Sequence, residues 1–274
     1  MIWSPQRPMC RCWKLKKNLI RLFRDFSITM LNKQEIKENF SRSAAAYDDH
    51  ASLQRRMADR LFSILTTDDL RLTTILDIGC GTGYLAERLA RTFPQATVLG
   101  IDLAPGMIES ARQKQQAVNL SFAVGDGESL GLPGRSFDLV VSNASLQWMA
   151  PEKVFNEVSQ VLAPNGSFLF STFGPQTLSE LKALGLRVNA FLSLAELRTL
   201  SGQYFNQIKL EAEIHKLSFA GARELHAYLK GLGAEGVDRR REASSSVYRM
   251  LRNKKELPAT FEALFAFCRE LTYH

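Results

Sequence analysis

A mostly apolar segment, residues 74–78, runs directly into three glycines at alternate positions, Gly79, Gly81 and Gly83. A second apolar segment ends in Asp102, nineteen residues past Gly83. Glycine lets the backbone turn tightly and approach a ligand where any Cβ would collide. An acidic residue at the tip of the next strand can accept both hydroxyl groups of a ribose. The pairing predicts an α/β unit that holds an adenosine-containing cofactor.

The glycine spacing separates two classes of cofactor. A dinucleotide fold has G-x-G-x-x-G and binds a pyrophosphate at the helix N-terminus. This chain has G-x-G-x-G, and Asp77 lies two residues before the first glycine. A carboxylate there repels a pyrophosphate but suits the ammonium group of an amino acid, so the spacing favours S-adenosyl-L-methionine. The alternative is a tight turn in an unrelated α/β protein.

Hydrophobic periodicity extends this unit in both directions. Leu53, Met57, Leu61 and Leu65 have helical spacing and predict a helix with one buried stripe in the segment before the first strand. Strands and helices then alternate, which predicts a doubly wound, mostly parallel sheet with helices on both faces. The predicted elements are helices 33–41 and 47–65, strand 74–78, helix 84–92, strand 97–101, helix 105–116, strands 120–124 and 137–142, helix 151–162, and strand 166–172.

Residues at the carboxyl ends of these strands are expected to face the ligand. Asp126 and Gly127 follow the third strand, and Asp126 is expected to accept a hydrogen bond from the adenine amino group. Asn143 and Trp148 follow the fourth strand and are expected to stand between cofactor and methyl acceptor. Asp138 is also a candidate site residue, although it begins a strand.

Charge divides the chain into two parts. The net charge is +7, but residues 1–29 alone contribute +6, so the rest is nearly neutral. The basic segment overlaps in character with an organellar transit peptide, and residues 14–26 could form a helix that lies on a membrane surface. The alternative is that translation starts at Met30. We therefore expect a basic extension over 1–29 and one domain over 30–274, with cap helices (30–70), a cofactor core (71–174) and a substrate lobe (175–274). The substrate lobe is expected to begin with a helical insertion after strand five, over residues 175–205.

Composition narrows the class of protein further. No apolar run approaches the roughly 20 residues that cross a bilayer, so no stable membrane insertion is expected. The four cysteines show neither a CxxC pair nor a metal-ligand spacing with the four histidines. These features predict a reduced, cytoplasmic protein without a metal. Nucleic acid is not an expected partner, because the nearly neutral body offers few contacts for phosphates.

The motifs resemble those of class I S-adenosylmethionine-dependent methyltransferases. They are residues 76–83 (Leu-Asp-Ile-Gly-Cys-Gly-Thr-Gly), 100–107 (Gly-Ile-Asp-Leu-Ala-Pro-Gly-Met) and 137–140 (Phe-Asp-Leu-Val). The resemblance implies a Rossmann-like sheet and a set of cofactor-binding residues: Asp77, Gly79, Gly81, Gly83, Asp102, Leu103, Met107, Asp126, Gly127 and Asn143.

A narrower resemblance covers nearly all of residues 32–273. The chain is similar to the malonyl-acyl-carrier-protein O-methyltransferases of biotin synthesis, in residues 39–47, 53–54, 142–148, 171–174, 177–181 and 229–234. The last of these, Leu-Lys-Gly-Leu-Gly-Ala, lies outside the cofactor core and therefore reports on the substrate class. The resemblance implies methylation of the free carboxylate of a malonyl thioester on acyl-carrier protein.

The implied chemistry needs no acid or base, because a malonyl carboxylate is already ionised at neutral pH. We therefore assign no acid–base residue and expect an arginine to orient the carboxylate. The substrate-side candidates are Tyr47, Asn143, Gln147 and Trp148. Residues 221–255 carry a net charge of +5. Within them Lys230, Arg239, Arg240 and Arg241 are candidates to dock an acidic carrier protein, and the alternative is an ordinary solvated helix face.

Two features depart from this family. One is the basic extension. The other is the C-terminus, because the family continues into a final antiparallel strand after the segment that ends this chain at His274. We expect that strand to be missing, which would leave strand five beside a gap and lower stability. Two other functions remain open: a class I methyltransferase acting on another small acid or a quinone, and a non-catalytic cofactor-binding or assembly protein.

Overall fold

A seven-stranded β-sheet runs through the part of the chain that the computed structural model describes, residues 32–65, 71–186, 188–234 and 256–272. The strands are β1 (Thr74–Ile78), β2 (Thr97–Asp102), β3 (Leu120–Val124), β4 (Phe137–Asn143), β5 (Leu162–Phe173), β6 (Phe205–Phe219) and β7 (Leu257–Leu271). The helices are α1 (Lys33–Ser43), α2 (Tyr47–His50), α3 (Ser52–Leu65), α4 (Tyr84–Thr92), α5 (Pro105–Lys114), α6 (Pro151–Val161), α7 (Ser179–Ala183), α8 (Leu194–Ser201) and α9 (Ala222–Gly231), with a short 3-10 helix at Leu146–Trp148.

The strand order is β3-β2-β1-β4-β5-β7-β6. β1 to β5 pair in parallel, as the alternating pattern predicted. Helices lie on both faces, so the predicted α/β doubly wound fold is confirmed. The predicted single helix over 47–65 is interrupted at Ala51, which separates α2 from α3. The helical insertion expected after strand five consists of α7 and α8.

The expectation of a missing final strand is wrong. β7 is the antiparallel strand, and it lies between β5 and β6, pairing Phe168 with Cys268 on one side and Phe205 with Leu271 on the other. Most of its side chains are buried, because neighbouring strands flank it and the sheet is covered on both faces. On this side of the sheet β6 is the edge strand, and its charged side chains, Lys209 and Glu211 among them, disfavour pairing with another chain.

Two hydrophobic cores cover the two faces of the sheet. On one face α3, α4 and α9 pack against the strands, and the predicted stripe of α3 is buried, with Leu53 and Met57 fully inaccessible to solvent. On the other face α6 and α8 enclose an aromatic group in which Phe155 meets Phe168 and Phe170 edge to face. The side chains that form the cores leave the carboxyl ends of the parallel strands open for a site.

Several expectations fall on residues outside the described ranges. These are the extension over 1–29 and the arginines at 239–241, so both stay predictions, as does the division of residues 30–274 into three parts. Across the described ranges, no helix combines the length and apolar character needed to cross a membrane. Within the same ranges, no group of three or more His, Cys, Asp or Glu side chains could hold a metal ion.

Candidate functional site

Three adjoining cavities lie at the carboxyl ends of β1 to β4. The strand-tip cavity is open to solvent on one side and is lined by Gly79, Gly81, Asp102, Leu103, Met107, Asp126, Gly127, Asn143 and Trp148, among others. The glycine-loop cavity is lined by Asp77, Gln54, Arg55 and Thr82 beside the same loop. The cap cavity lies under α1, α2 and α9 and is lined by Phe40, Gln54, Gln147, Phe173, Asn189, Leu229, Leu232 and Ala234, among others. Tyr47 lines all three.

The glycine loop owes its shape to left-handed backbone. Gly79 has φ +71°, and a Cβ there would come within 2.4 Å of Ser145 Oγ. Gly81 has φ +55°, and a Cβ there would meet nothing within 4 Å, because this glycine faces the cavities. Gly83 lines none of the three cavities; a Cβ there would come within 2.7 Å of Phe122, so its role is to let α4 pack on β3. Space for a ligand is therefore left at Gly81.

Asp77 is a buried carboxylate at the end of β1. Its side chain is 1% exposed, and neither oxygen makes a well-formed hydrogen bond among the described residues, although the Ala86 N–H lies close enough to act on the carboxylate. Burial raises the pKa of Asp77 to about 7, the nearby Asp102 adds to the rise, and the Ala86 N–H opposes it. A buried carboxylate of this kind is costly unless a donor or cation reaches it. Since Asp77 lines the glycine-loop cavity, a ligand ammonium group there would supply the missing partner.

Asp102 is held in place at the tip of β2. Its Oδ2 accepts a hydrogen bond from the Gly81 N–H at 3.0 Å, and its Oδ1 accepts one from the Ala104 N–H at 2.8 Å. Burial raises the pKa of Asp102 to about 6, while these two N–H groups oppose the rise. Each carboxylate oxygen keeps a second lone pair. The arrangement suits acceptance of two hydroxyl groups from a ligand in the strand-tip cavity.

Asp126, at the far end of the strand-tip cavity, forms an ion pair that the sequence did not indicate. Lys33 of α1 contacts Asp126 at 2.5 Å and Glu128 at 2.8 Å. Asp126 Oδ1 also accepts a hydrogen bond from the Glu128 N–H at 2.9 Å. The predicted adenine-facing carboxylate therefore also fastens the first cap helix to the loop after β3.

A second ion-pair group fastens α2 to the glycine loop. Asp48 accepts a hydrogen bond from the Thr82 hydroxyl at 2.7 Å and pairs with Lys114 at 2.6 Å and Arg55 at 3.3 Å. These partners hold the pKa of Asp48 below its usual value against the opposing effect of burial. Lys33 and Asp48 were missed in the sequence because neither belongs to a chemical motif.

The predicted substrate-side residues lie together. Tyr47 and Trp148 line both the strand-tip and cap cavities, and the Trp148 ring meets Phe40 edge to face at 5.4 Å. The Asn143 amide donates to the Gln54 carbonyl at 3.0 Å and accepts from the Ser171 hydroxyl at 2.7 Å. Gln147 donates to the Ala144 carbonyl at 2.6 Å and accepts from Thr172 at 3.1 Å. Asn143 and Gln147 therefore brace the walls of the site.

The Leu-Lys-Gly-Leu-Gly-Ala segment comprises the end of α9 and the three residues after it, and it packs against the cap helices α1 and α2. A Cβ on Gly231 would come within 2.0 Å of the His50 ring, and one on Gly233 within 3.0 Å of Phe40 and Ser43. Three other residues of the segment, Leu229, Leu232 and Ala234, line the cap cavity. The two glycines therefore let this segment approach the cap helices closely, and its apolar residues form part of the wall of the cap cavity.

Two expectations are not met among the described residues. Asp138, a candidate site residue, lies at the start of β4 and binds the backbone and hydroxyl groups of Thr73 and Thr74, so its role is structural. None of the described residues that line the cap cavity is an arginine or lysine, so the expected carboxylate-orienting arginine is not among them. Lys230 is exposed on the last turn of α9.

The residues present fit S-adenosyl-L-methionine. The unpartnered Asp77 suits an ammonium group, Asp102 suits ribose hydroxyls, and Gly81 leaves room for the chain between them. A dinucleotide fits less well, since its pyrophosphate would lie near two buried carboxylates.

Comparisons with known proteins agree with this geometry. The methyltransferase domain family, Methyltransf_11, matches residues 76–170. The malonyl-acyl-carrier-protein O-methyltransferase of Halalkalibacterium halodurans is 33% identical, in an alignment that covers 87% of this chain and 99% of that protein. The biotin biosynthesis bifunctional protein BioHC of Teredinibacter turnerae is also 33% identical, but the chain spans only 47% of its length. Among solved structures, the YcgJ protein of Bacillus subtilis has a TM-score of 0.55 at 22% identity, over 78% of this chain and 98% of that one, which shows the shared fold.

Proposed function

This chain belongs to the malonyl-acyl-carrier-protein O-methyltransferase family, and we propose from that premise that it methylates the free carboxylate of a malonyl group on acyl-carrier protein. The methyl donor is S-adenosyl-L-methionine. The product is the malonyl methyl ester, which primes pimeloyl synthesis for biotin. The observation that carries the proposal is the meeting of the cavities at Tyr47, because it brings the wall formed by residues 229–234 next to the cofactor residues.

Each of the cofactor residues would bind a different part of S-adenosyl-L-methionine. Asp77 pairs with the ammonium group, Asp102 accepts the ribose hydroxyls, and Asp126 accepts from the adenine amino group. Leu103 and Met107 provide apolar contacts in the strand-tip cavity. When bound, S-adenosyl-L-methionine supplies a methyl group on a cationic sulfur, which a carboxylate can take as its negative charge is lost, leaving a neutral ester and a neutral thioether.

The protein's contribution to rate is alignment and exclusion of water. No base is required, because the attacking carboxylate is ionised at neutral pH. Phe40, Trp148, Phe173 and Leu229 form apolar walls of the cap cavity. Such walls keep water away from the acceptor and strengthen the attraction between opposite charges. Tyr47 stands where donor and acceptor cavities meet.

The carrier protein is the proposed macromolecular partner. Acyl-carrier proteins are acidic, and Lys230 together with Arg239, Arg240 and Arg241 would attract one. Lys230 lies one residue before the glycine that packs on His50, so a carrier bound there would be near the cap cavity. The cytoplasmic location predicted from the sequence remains a prediction.

The test is methyl transfer from labelled S-adenosyl-L-methionine to malonyl-acyl-carrier protein, with free malonate and a quinone precursor as competing acceptors. We expect turnover on the carrier-bound acid and little on free malonate. Turnover only on free malonate or the quinone would reject the proposed substrate. Binding of the cofactor without turnover on any acceptor would favour a non-catalytic role.

A further inference from the structure

The side chain of Gln54 lies at the boundary between the donor and acceptor sides of the site. It lines the glycine-loop cavity together with Asp77, and it lines the cap cavity together with Phe173 and Leu229. Of the described residues lining both of these cavities, Tyr47 is the other. A group at this boundary is close to the place where the methyl group changes partners.

The backbone carbonyl of Gln54 is anchored, whereas its side-chain oxygen has no anchor among the described residues. The Gln54 carbonyl accepts a hydrogen bond from Asn143 Nδ2 at 3.0 Å, and Asn143 is itself held by Ser171. The amide oxygen Oε1 is buried and has no partner among the described residues. An unpartnered buried amide costs stability unless a ligand completes it. A ligand that forms a hydrogen bond with the Gln54 amide would therefore remove this cost.

Gln147 provides an internal comparison, because it is the same residue type in the same cavity. Its amide donates to Ala144 and accepts from Thr172, so both ends are used within the protein. The two amides thus differ in purpose: Gln147 fixes the wall, whereas Gln54 can turn by 180° about its terminal bond and offer either its oxygen or its NH₂ group.

The ligand expected in the cap cavity is an acceptor of hydrogen bonds. A carboxylate accepts only, so its partners must be donors. The described residues lining this cavity include no lysine, arginine or histidine. Tyr47 offers a hydroxyl group, and burial together with the nearby Asp102 raises its pKa, so that hydroxyl keeps its proton.

We propose that the Gln54 NH₂ group and the Tyr47 hydroxyl bind the carboxylate that is methylated, so that neutral donors orient the attacking oxygen. This inference rests on the proposed function and names the substrate-binding groups of its acceptor side. Neutral donors suit the reaction because the carboxylate loses its charge when the ester forms. A cation paired with it would stabilise the reactant more than the product and would be left without a counterion.

The experiment compares two carriers and two proteins. Binding of malonyl-carrier and acetyl-carrier is measured with the protein saturated in S-adenosylhomocysteine, using wild type and Gln54→Met, which keeps the side-chain length but removes both polar atoms. Hydrogen bonds to a charged group predict a 10- to 100-fold loss of affinity for the malonyl-carrier, to order of magnitude. The acetyl-carrier has no carboxylate and should be bound about equally by both proteins.

Two further variants sharpen the result. Gln54→Glu adds a like charge beside the carboxylate and should weaken malonyl binding further, again without affecting the acetyl-carrier. Tyr47→Phe removes the second donor and should reduce malonyl binding selectively. Gln203→Met, at an exposed position before β6, is the matched control and should change nothing.

Outcomes separate this inference from the proposed function. If wild type neither binds nor methylates the malonyl-carrier, the proposed function fails. If wild type does both and Gln54→Met keeps its preference for malonyl over acetyl, the assignment of Gln54 is overturned. A loss confined to S-adenosylhomocysteine affinity would also overturn it, because the amide would then serve the donor side.

Discussion

At the scale of single residues, the buried carboxylate Asp77 has the largest consequence for ligand binding. It lies near a second buried carboxylate, Asp102, and neither of its oxygens makes a well-formed hydrogen bond among the described residues. In the absence of ligand, burial and the nearby Asp102 therefore favour the protonated form of Asp77 near neutral pH. A cationic ligand must displace that proton, so binding of the ligand and loss of the proton are linked.

This linkage predicts a pH-dependent affinity for the cofactor. The pKa of Asp77 is raised to about 7 in the free protein, so Asp77 is mostly ionised at pH 8 and mostly protonated at pH 6. Affinity for S-adenosylhomocysteine, which carries the same ammonium group, should fall about tenfold from pH 8 to pH 6. Isothermal titration calorimetry at several pH values measures this fall directly.

Asp77→Asn is the matching variant. It should bind more weakly than wild type at pH 8 and lose most of the dependence between pH 6 and 8. The Asp102 carboxyl, with its pKa raised to about 6, should still contribute a decline at lower pH. An unchanged pH profile in Asp77→Asn would contradict the assignment of Asp77 to the ammonium group.

Local spacing was sufficient to predict the residues of the glycine loop and strand ends. Gly79, Gly81 and Asp102 line the strand-tip cavity. Each lies at or directly after the carboxyl end of a strand, which is where ligands bind in such sheets, so recognising the strand was enough to predict the residue. Gln54, Lys33 and Asp48 could not be assigned roles in the same way. Their partners are distant in sequence, as in the contact of Lys33 with Asp126, and depend on how the cap helices dock.

At the scale of elements, the contact between α9 and α2 connects a wall of the cap cavity to the cap helices. Gly231 lies against the His50 ring at the end of α2, and Tyr47 begins that helix. Gly231→Ala should push α2 away from α9. Overpacking of this kind typically costs about 1–3 kcal/mol, and it should also disturb Tyr47.

A double-mutant cycle tests that contact. The free energy of unfolding is measured for Gly231→Ala, for His50→Ala and for the pair. Removal of the His50 ring should make room for the new methyl group, so the pair should be less destabilised than the sum of the single variants. Simple additivity would show that the two residues do not contact each other.

β7 shows where element prediction from the sequence fails. The parallel strands β1 to β4 are short and bounded by turn residues, and helices separate β1, β2 and β3 from one another, so their pattern could be recognised in the sequence. β7 instead has side chains buried on both faces, and an apolar run of this kind has no period of two to separate it from a buried helix. Only its pairing with β5 and β6 identifies it as the final strand.

At the scale of the whole molecule, the position of the positive charges matters more for binding a partner than the net charge does. The formal charge is +7, yet residues 30–274 carry 28 basic and 27 acidic side chains, so the net charge alone does not attract a partner. What matters is where the cations cluster. Residues 221–255 carry five net positive charges in the sequence, and within this stretch Leu229, Leu232 and Ala234 line the cap cavity. A local field of this kind steers an acidic partner and raises its rate of association.

Reversal of Arg239, Arg240 and Arg241 to Glu tests carrier docking. The Michaelis constant for malonyl-acyl-carrier protein should rise about tenfold or more at low salt, and less at high salt, because screening already weakens the attraction. Affinity for S-adenosyl-L-methionine should not change. The control reverses three exposed cations elsewhere, Arg71, Arg198 and Lys216, and so changes the net charge equally. An equal effect in both proteins would attribute recognition to net charge, whereas no effect in either would exclude residues 239–241 from the docking surface.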